Sequence, residues 1–333
     1  MKVRRATITA VGHYVPDKVL TNTDLERMVD TSDEWITKRT GISERRIQEK
    51  GVTSDLAVNA IQQVLANRGM SPEEIEAIVV ATVTPDMFFP STACVIQEKI
   101  GATNAWGFDL SAGCSGFLFA LSVGAQFIES GMHSKVMVVG ADKMSSIIDY
   151  TDRTTCILFG DGAGAALLEP AEGTEYGILD QHLYCDGAGG KYLYMKGGGS
   201  LYPATHETVD ERLHYLYQDG EPVFKSAVTE MANAAAEIME RNNLKPDDVA
   251  WLVPHQANSR IIYATVSRMG LDRSKVTVNI DKYGNTTDAT IPLCLSEWWH
   301  NGLFKRGQNI ILAAFGAGYT WGGMLIRWSI ASP

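Results

Sequence analysis

The sequence predicts an α/β fold built from two similar halves. Strand-like apolar runs alternate with helix-period segments along the chain, and a faint repeat relates the first half to the second. The 333 residues, 45% apolar and 20% charged, leave room for a large core and exclude collagen-like, low-complexity and disordered chains.

In chain order, residues 55–67 have helical period and precede the buried strand 75–82 (IEAIVVAT). A strongly apolar helix is expected over 115–129, then a strand over 135–140 (KVMVVG). Residues 184–220, with clustered glycines and tyrosines and little period, read as an excursion or flap outside the core. A helix over 229–241 leads to the strand 249–254 (VAWLVP), and a helix over 291–300 leads to the strand 309–315 (NIILAAF). MSPEEIEAIVVAT from Met70 lies over LKPDDVAWLVPHQ from Leu244, an offset of 174 residues. SGMHSKVMVVGAD from Ser130 lies over NGLFKRGQNIILA from Asn301, an offset of 171, so a three-residue indel reconciles the two matches. The halves are expected at 1–173 and 174–333.

A formal net charge of −10 argues against nucleic acid or an anionic membrane as the main partner; an anionic ligand would need a local basic patch. Met1 to Arg5 is briefly basic, but the apolar run from Ala6 to Gly12 is too short for a signal core and His13 interrupts it. No uncharged run approaches the roughly 18 residues of a membrane span. Cys94, Cys114, Cys156, Cys185 and Cys294 are widely spaced with no CxxC pair, which gives neither a disulfide framework nor a metal site. The expectation is a cytoplasmic protein with four of these cysteines buried, or all five.

The chemistry concentrates in three places. In Phe108–Phe117 (FDLSAGCSGF), Cys114 stands at the start of an apolar helix, where unpaired N–H groups and the helix dipole favour thiolate and can hold an oxyanion. Taken alone, such a cysteine reads more often as a buried core residue. His255, in VPHQAN, follows a buried strand directly, the place where α/β folds put ligands; alone it reads as a structural histidine. Asn285, in YGNTTDATIP, stands 171 residues after Cys114 and so holds the equivalent place in the second half. If the halves pack about a pseudo-twofold axis, Cys114, His255 and Asn285 converge on one cleft. Such a set serves papain-like proteolysis, or acyl transfer with carbon–carbon bond formation. Two glycine-rich stretches carry less: Gly160–Ala165 lacks a dinucleotide fingerprint, Gly189–Tyr192 lacks the Ser/Thr of a P-loop, and both read as close packing or turns.

Along essentially its whole length the chain resembles β-ketoacyl-acyl carrier protein synthase III of the thiolase superfamily. The carrying segments are VDTSDEWITKRTGISERRI from Val29, FFPSTACVIQEKIG from Phe88, GCSGF from Gly113, DRTTCILFGDGAGA from Asp152, PHQAN from Pro254, GNTTDATIP from Gly284 and AFGAGYTWG from Ala314. The resemblance implies a thiolase-like fold of two pseudo-symmetric halves, each a mixed sheet with helices, layered α-β-α-β-α. It implies ping-pong chemistry: a cysteine takes an acyl group from a coenzyme A thioester, then malonyl-carrier protein decarboxylates and its carbanion attacks the acyl-enzyme, initiating fatty-acid synthesis. Cys114 matches the nucleophile, and His255 and Asn285 match the donors to the malonyl thioester oxygen. The N–H groups of Cys114 and Ala317 match the acyl oxyanion hole; glycine often stands at the latter position. Trp35, Arg39 and Arg153 match the coenzyme A contacts, Arg260 the carrier-protein docking arginine, and Phe89 a residue that caps the acyl pocket of a dimer neighbour. Beyond the coenzyme A thioester, a substrate, no cofactor or metal is implied. Asp288 departs from the pattern, because small neutral residues are commoner there and a carboxylate near the thiol would raise its pKa. The resemblance leaves as alternatives a related polyketide or long-chain condensing enzyme, and a non-catalytic dimeric binding protein on the same fold. Plain thiolases use a second late cysteine and elongating synthases two histidines; here the last cysteine is Cys294, and Asn285 stands beside one histidine.

Overall fold

The computed structural model describes residues 4–333; Met1–Val3, which open the basic stretch, lie outside the described residues. The first sheet has the spatial order Ala6–Tyr14, Gly162–Pro170, Val136–Asp142, Ala77–Ala81, Trp106–Leu110. Its last three strands are parallel and the first two join antiparallel. The second sheet repeats this with Gly177–Cys185, Thr320–Arg327, Asn309–Gly316 and Trp251–Pro254, the last pair again parallel. In place of a fifth strand there is a bridge from Leu252 to Val276.

Three apolar cores separate the layers. The central one is formed by the helices Gly116–Glu129 and Thr290–His300 between the two sheets. A second lies outside the first sheet, under the helices Thr53–Arg68 and Thr92–Ile100. The third lies outside the second sheet, under Gly220–Arg241 and Ser259–Met269. Strand alternation makes this possible: Ala77, Val79 and Ala81 face the central core while Ile78 and Val80 face outward. Both faces are covered, which explains why these strands read as unbroken apolar runs. The halves are not segregated, since Ile36, Ile42, Met144 and Ile157 pack into the third core.

The register locates the indel. Ala77 stands opposite Val136, and Trp251 opposite Ile310, so an offset of 174 relates both strand pairs. The helix ends at Ser130 and Asn301 keep the offset of 171. The second half is therefore three residues shorter between its first parallel strand and the end of its buried helix and three longer in the loop before Asn309–Gly316, so Val136 corresponds to Ile310 rather than Gly307. The helix expected over 229–241 begins earlier, at Gly220, because Pro222 falls in the first turn, where its missing N–H costs nothing. Gly162, Gly164 and their neighbours form a strand rather than a turn.

A β-carbon on Gly164 would stand 2.7 Å from the Pro292 side chain of the buried helix. Gly164→Ala should lower stability by about 1–3 kcal/mol through overpacking. Gly187→Ala, which meets nothing within 4 Å, should stay within about 0.5 kcal/mol. Thermal unfolding of the two variants checks the contrast.

Candidate active site

Cys114 immediately precedes Ser115, the N-cap of the buried helix Gly116–Glu129. Its backbone is pressed against the loop after Asn309–Gly316. A β-carbon on Gly113 would lie 2.4 Å from the Ala317 nitrogen, and one on Gly316 would lie 2.4 Å from the Cys114 nitrogen. Thr320 ties the two loops together: its Oγ1 donates to the Ala112 carbonyl (2.5 Å) with the Ala317 carbonyl also in reach (3.2 Å), and its own carbonyl accepts from Ser115 Oγ (3.0 Å). Two backbone segments without obstructing side chains thus bring the Cys114 and Ala317 amides side by side.

His255 follows the strand Trp251–Pro254, and its N–H extends the ladder to the Ala313 carbonyl (2.8 Å). The side chain is 1% exposed, and burial pulls its pKa down to about 3, so the ring is neutral. Its Nδ1 lies 2.7 Å from Thr290 Oγ1. Asn285 is fixed through its backbone, donating to the Leu158 carbonyl (2.8 Å) and accepting from Gly160 N (3.1 Å). Its Oδ1 accepts from the Thr287 N–H (2.8 Å), which leaves Nδ2 as the free donor. That arrangement requires a left-handed backbone at Thr287 (φ 49°), uncommon for a β-branched residue. Thr287 is anchored there by its hydroxyl, which donates to Asp142.

The electrostatics overturn one expectation. Burial pushes the Cys114 thiol well above its ordinary range, and any negative charge on the nearby Asp288 and Asp142 pushes the same way; the Asn285 amide and the cysteine's own N–H pull the other way and lose. The helix N-terminus does not make a resting thiolate, because desolvating the charge costs more than the dipole returns. Asp288 is 1% exposed, with its carboxyl against the first turn of the cysteine helix, 2.4 Å from where a Gly116 β-carbon would lie. Burial, then Asp142, push its pKa far up, against the opposite pull of the Phe117 and Gly116 N–H groups at the helix start. Asp142 accepts from Thr82 Oγ1, Val83 N, Thr84 N and Oγ1, Thr287 Oγ1 and Asp288 N. Burial raises its pKa as well, but those donors favour its ionised form, so Asp288 is the member of the pair that keeps the proton. A neutral Asp288 spares Cys114 a second adjacent charge.

Cys114, His255, Asn285 and Ala317 line one cavity of about 680 Å³. Trp35, Arg39, Phe224 and Arg260 line the same cavity. The Arg39 guanidinium lies 4.6 Å from the Trp35 ring centre, with Arg153 on Trp35 at 5.7 Å, and Arg260 lies 4.6 Å from that of Phe224. Arg153 lies outside the cavity lining and bonds to the Asp30 carbonyl (3.0 Å). Phe89 is 85% exposed and absent from the lining of its own cavity, which removes core packing as its role. The excursion over residues 184–220 packs against the site: Leu193, Tyr194, Met195, Leu216 and Gln218 form a wall of the cavity. The cysteine expectation fails in part, because Cys94 and Cys185 are exposed and only Cys156 and Cys294 fully buried. Among the described residues no group of three or more His, Cys, Asp or Glu side chains could hold a metal.

Sequence reasoning did not reach Asp142, Thr287, Thr290 and Thr320. Two of these lie within GNTTDATIP, and Asp142 ends a buried parallel strand, a position that points to ligand chemistry in α/β folds. The hydroxyls serve the site through contacts across the chain, and a sequence gives no sign of those.

Two family models match the chain: "3-Oxoacyl-[acyl-carrier-protein (ACP)] synthase III" over residues 108–187 and "3-Oxoacyl-[acyl-carrier-protein (ACP)] synthase III C terminal" over residues 239–328. The chain is 62% identical over 326 residues to the beta-ketoacyl-[acyl-carrier-protein] synthase III of Chlorobium luteolum, covering 97% of this chain and 99% of that one. It superposes with a TM-score of 0.89 on the 3-oxoacyl-[acyl-carrier-protein] synthase III of Aquifex aeolicus, at 42% identity, 97% of this chain and all of the other. The priming β-ketosynthase of the R1128 polyketide pathway superposes with a TM-score of 0.91 at 34% identity, covering all of this chain and 99% of that one.

The Asp288 carboxyl titrates higher in the folded than in the unfolded chain, so its contribution to stability is full below the unfolded pKa and is lost as pH rises through the folded value. Asp288→Asn cannot ionise and escapes that loss. The difference in Tm, variant minus wild type, should therefore grow between pH 4 and pH 8; a difference independent of pH would show that the carboxyl does not titrate as assigned.

Proposed function

This chain belongs to the β-ketoacyl-[acyl-carrier-protein] synthase III family, and on that footing we propose how its cavity divides the two half-reactions. It is an acyltransferase of the thiolase fold that performs the decarboxylative condensation initiating fatty-acid synthesis. In the first half-reaction an acyl-CoA enters past Trp35, Arg39 and Arg153, whose indole and guanidinium groups suit adenine and phosphates. Cys114 attacks the thioester carbonyl, the oxyanion is held by the amides of Cys114 and Ala317, and coenzyme A leaves as the thiol. The proton lost by Cys114 is the one gained by the coenzyme A sulfur. Because Cys114 rests as a thiol, acylation and proton loss are coupled.

Malonyl-carrier protein then docks at the mouth beside Arg260. The bond to the carboxylate breaks, carbon dioxide leaves, and the electron pair collects as an enolate whose oxygen receives hydrogen bonds from His255 and Asn285 Nδ2. The enolate carbon attacks the acyl group on Cys114, and the departing thiolate takes a proton from solvent. A neutral, buried histidine suits this step, because it stabilises developing charge as a donor without becoming an imidazolium. The observation that carries the reading is the convergence of Cys114, His255, Asn285 and the paired amides on one cavity. The chemistry is complete with thioester substrates, and we assign no cofactor. Among the described residues no helix is long and apolar enough to cross a membrane, and we place the enzyme in the cytoplasm with its carrier-protein substrate.

We also propose a homodimer. The strand Trp106–Leu110 ends the first sheet with one edge unpaired among the described residues, and Phe88 and Phe89 stand 78% and 85% exposed. A second copy would cover these groups and place Phe89 at the neighbour's acyl pocket. Sedimentation at micromolar concentration should give about twice the 36.4 kDa of one chain. A fully active monomer at that concentration would remove the assignment.

Cys114→Ala should gain no acyl mass from acetyl-CoA yet keep some malonyl decarboxylation. His255→Ala and Asn285→Ala should still be acylated, more slowly, while decarboxylation and condensation fall by on the order of 10²–10³ for each lost donor. The double variant should lose less than the sum of the two effects. Intact mass after acetyl-CoA and release of labelled carbon dioxide follow the two steps separately. A wild-type chain that gains no acyl mass would be a binding protein, and a His255→Ala chain that decarboxylates but does not acylate would make histidine the cysteine's base.

A further inference from the structure

His255 has two neutral forms, and only the one with its proton on Nε2 can donate to an enolate oxygen. The choice is made on the far side of the ring. Nδ1 meets Thr290 Oγ1 at 2.7 Å, and both side chains are buried, at 1% and 2% exposure. A hydroxyl has one proton to give, and Thr290 has two acceptors in reach: His255 Nδ1, and the Thr287 carbonyl at 3.0 Å. The Thr287 carbonyl already accepts the Thr290 backbone N–H, which caps the turn Thr287–Ala289, so it has no unmet need for the hydroxyl proton. A lone pair on Nδ1, by contrast, would be a buried acceptor without a donor unless Thr290 supplies one. For His255 to donate from Nε2 into the cavity it lines, Nδ1 must accept, and the Thr290 hydroxyl, its hydrogen-bond partner, then gives its proton to Nδ1 while the Thr287 carbonyl keeps the Thr290 N–H.

We propose that Thr290 is a positioning residue that holds His255 in the Nε2–H tautomer, aimed as a donor at the malonyl thioester oxygen. The inference rests on the reading of His255 as that donor. Thr290 lies on the helix that Asn285 introduces, so one turn of chain supplies one enolate donor through its own amide and sets the other through a hydroxyl. It touches no substrate atom, and its effect is confined to the half-reaction that needs Nε2–H.

The test compares Thr290→Val, which keeps the shape and removes the hydroxyl, with Thr290→Ser, which keeps the hydroxyl. Thr290→Val should lower the rate of malonyl-carrier protein decarboxylation about tenfold or more, with little change in KM, and leave acylation of Cys114 by acetyl-CoA near the wild-type rate. Thr290→Ser should restore decarboxylation. The ring-nitrogen spectrum of ¹⁵N-histidine-labelled enzyme, with the His255 signals assigned by their loss in His255→Ala, should show protonated Nε2 in the wild type and in Thr290→Ser. In Thr290→Val that pattern should change. If Thr290→Val instead lost both half-reactions equally, if Thr290→Ser failed to rescue it, or if the wild-type proton lay on Nδ1, the proposal would be overturned. Decarboxylation unaffected by His255→Ala would instead refute the donor reading beneath it, so the two failures are distinct.

Discussion

The contact on which the site depends is between two stretches of bare backbone. Gly113–Cys114 and Gly316–Ala317 meet at a distance that excludes a β-carbon at either glycine, and Thr320 bonds to both loops. This approach brings two amide groups from opposite halves of the chain to one point, and neither half contains the pair. It is possible because the cysteine helix of the central layer packs directly on the second sheet, whose strand Asn309–Gly316 leads into the other loop. The cysteine helix begins at that contact, and the strand Asn309–Gly316 delivers Ala317 to it. The rest of the fold sets the position of these ends, with sheets on either side and helices outside them.

The second feature of the site is how little charge it carries. His255 is neutral, Cys114 rests as a thiol, and Asp288 holds a proton, while Asp142 collects the donors of two chain segments. In a buried cavity, fixed neutral donors stabilise a developing oxyanion without themselves paying for desolvation. A charged neighbour would either hold the thiol proton or repel the enolate. Asp288, which as a carboxylate would do both, is tolerated because burial keeps it protonated. The strained Thr287 backbone belongs to the same arrangement: its N–H engages the Asn285 Oδ1 and leaves the amide nitrogen to the cavity.

Much of this was legible in the residues themselves. The apolar strands and buried helices were found by pattern, and the offset between Cys114 and Asn285 placed both at the starts of equivalent helices. His255 was legible as a strand end. Other features were not. The strands Gly162–Pro170 and Thr320–Arg327 escaped because glycine and alanine dilute their period, although glycine there is what lets Pro292 of the buried helix approach. Four or five buried cysteines are expected because cysteine is usually buried, yet Cys94 and Cys185 are both exposed: sequence does not show which face of an element lies on the surface.

The sequence by itself determined the α/β class and the two-part repeat, because those follow from local periodicity. It marked Cys114, His255 and Asn285 as candidates by residue type at matched positions and by resemblance to a family. Only the tertiary structure decided the electrostatics of the site, the amide pair and the contact between Thr290 and His255. Each of these depends on distances between segments far apart in the chain, and on how completely their packing excludes water. A pKa is set by what surrounds a group in three dimensions: the same Cys114 at a helix start would ionise readily in an open site and holds its proton in this one.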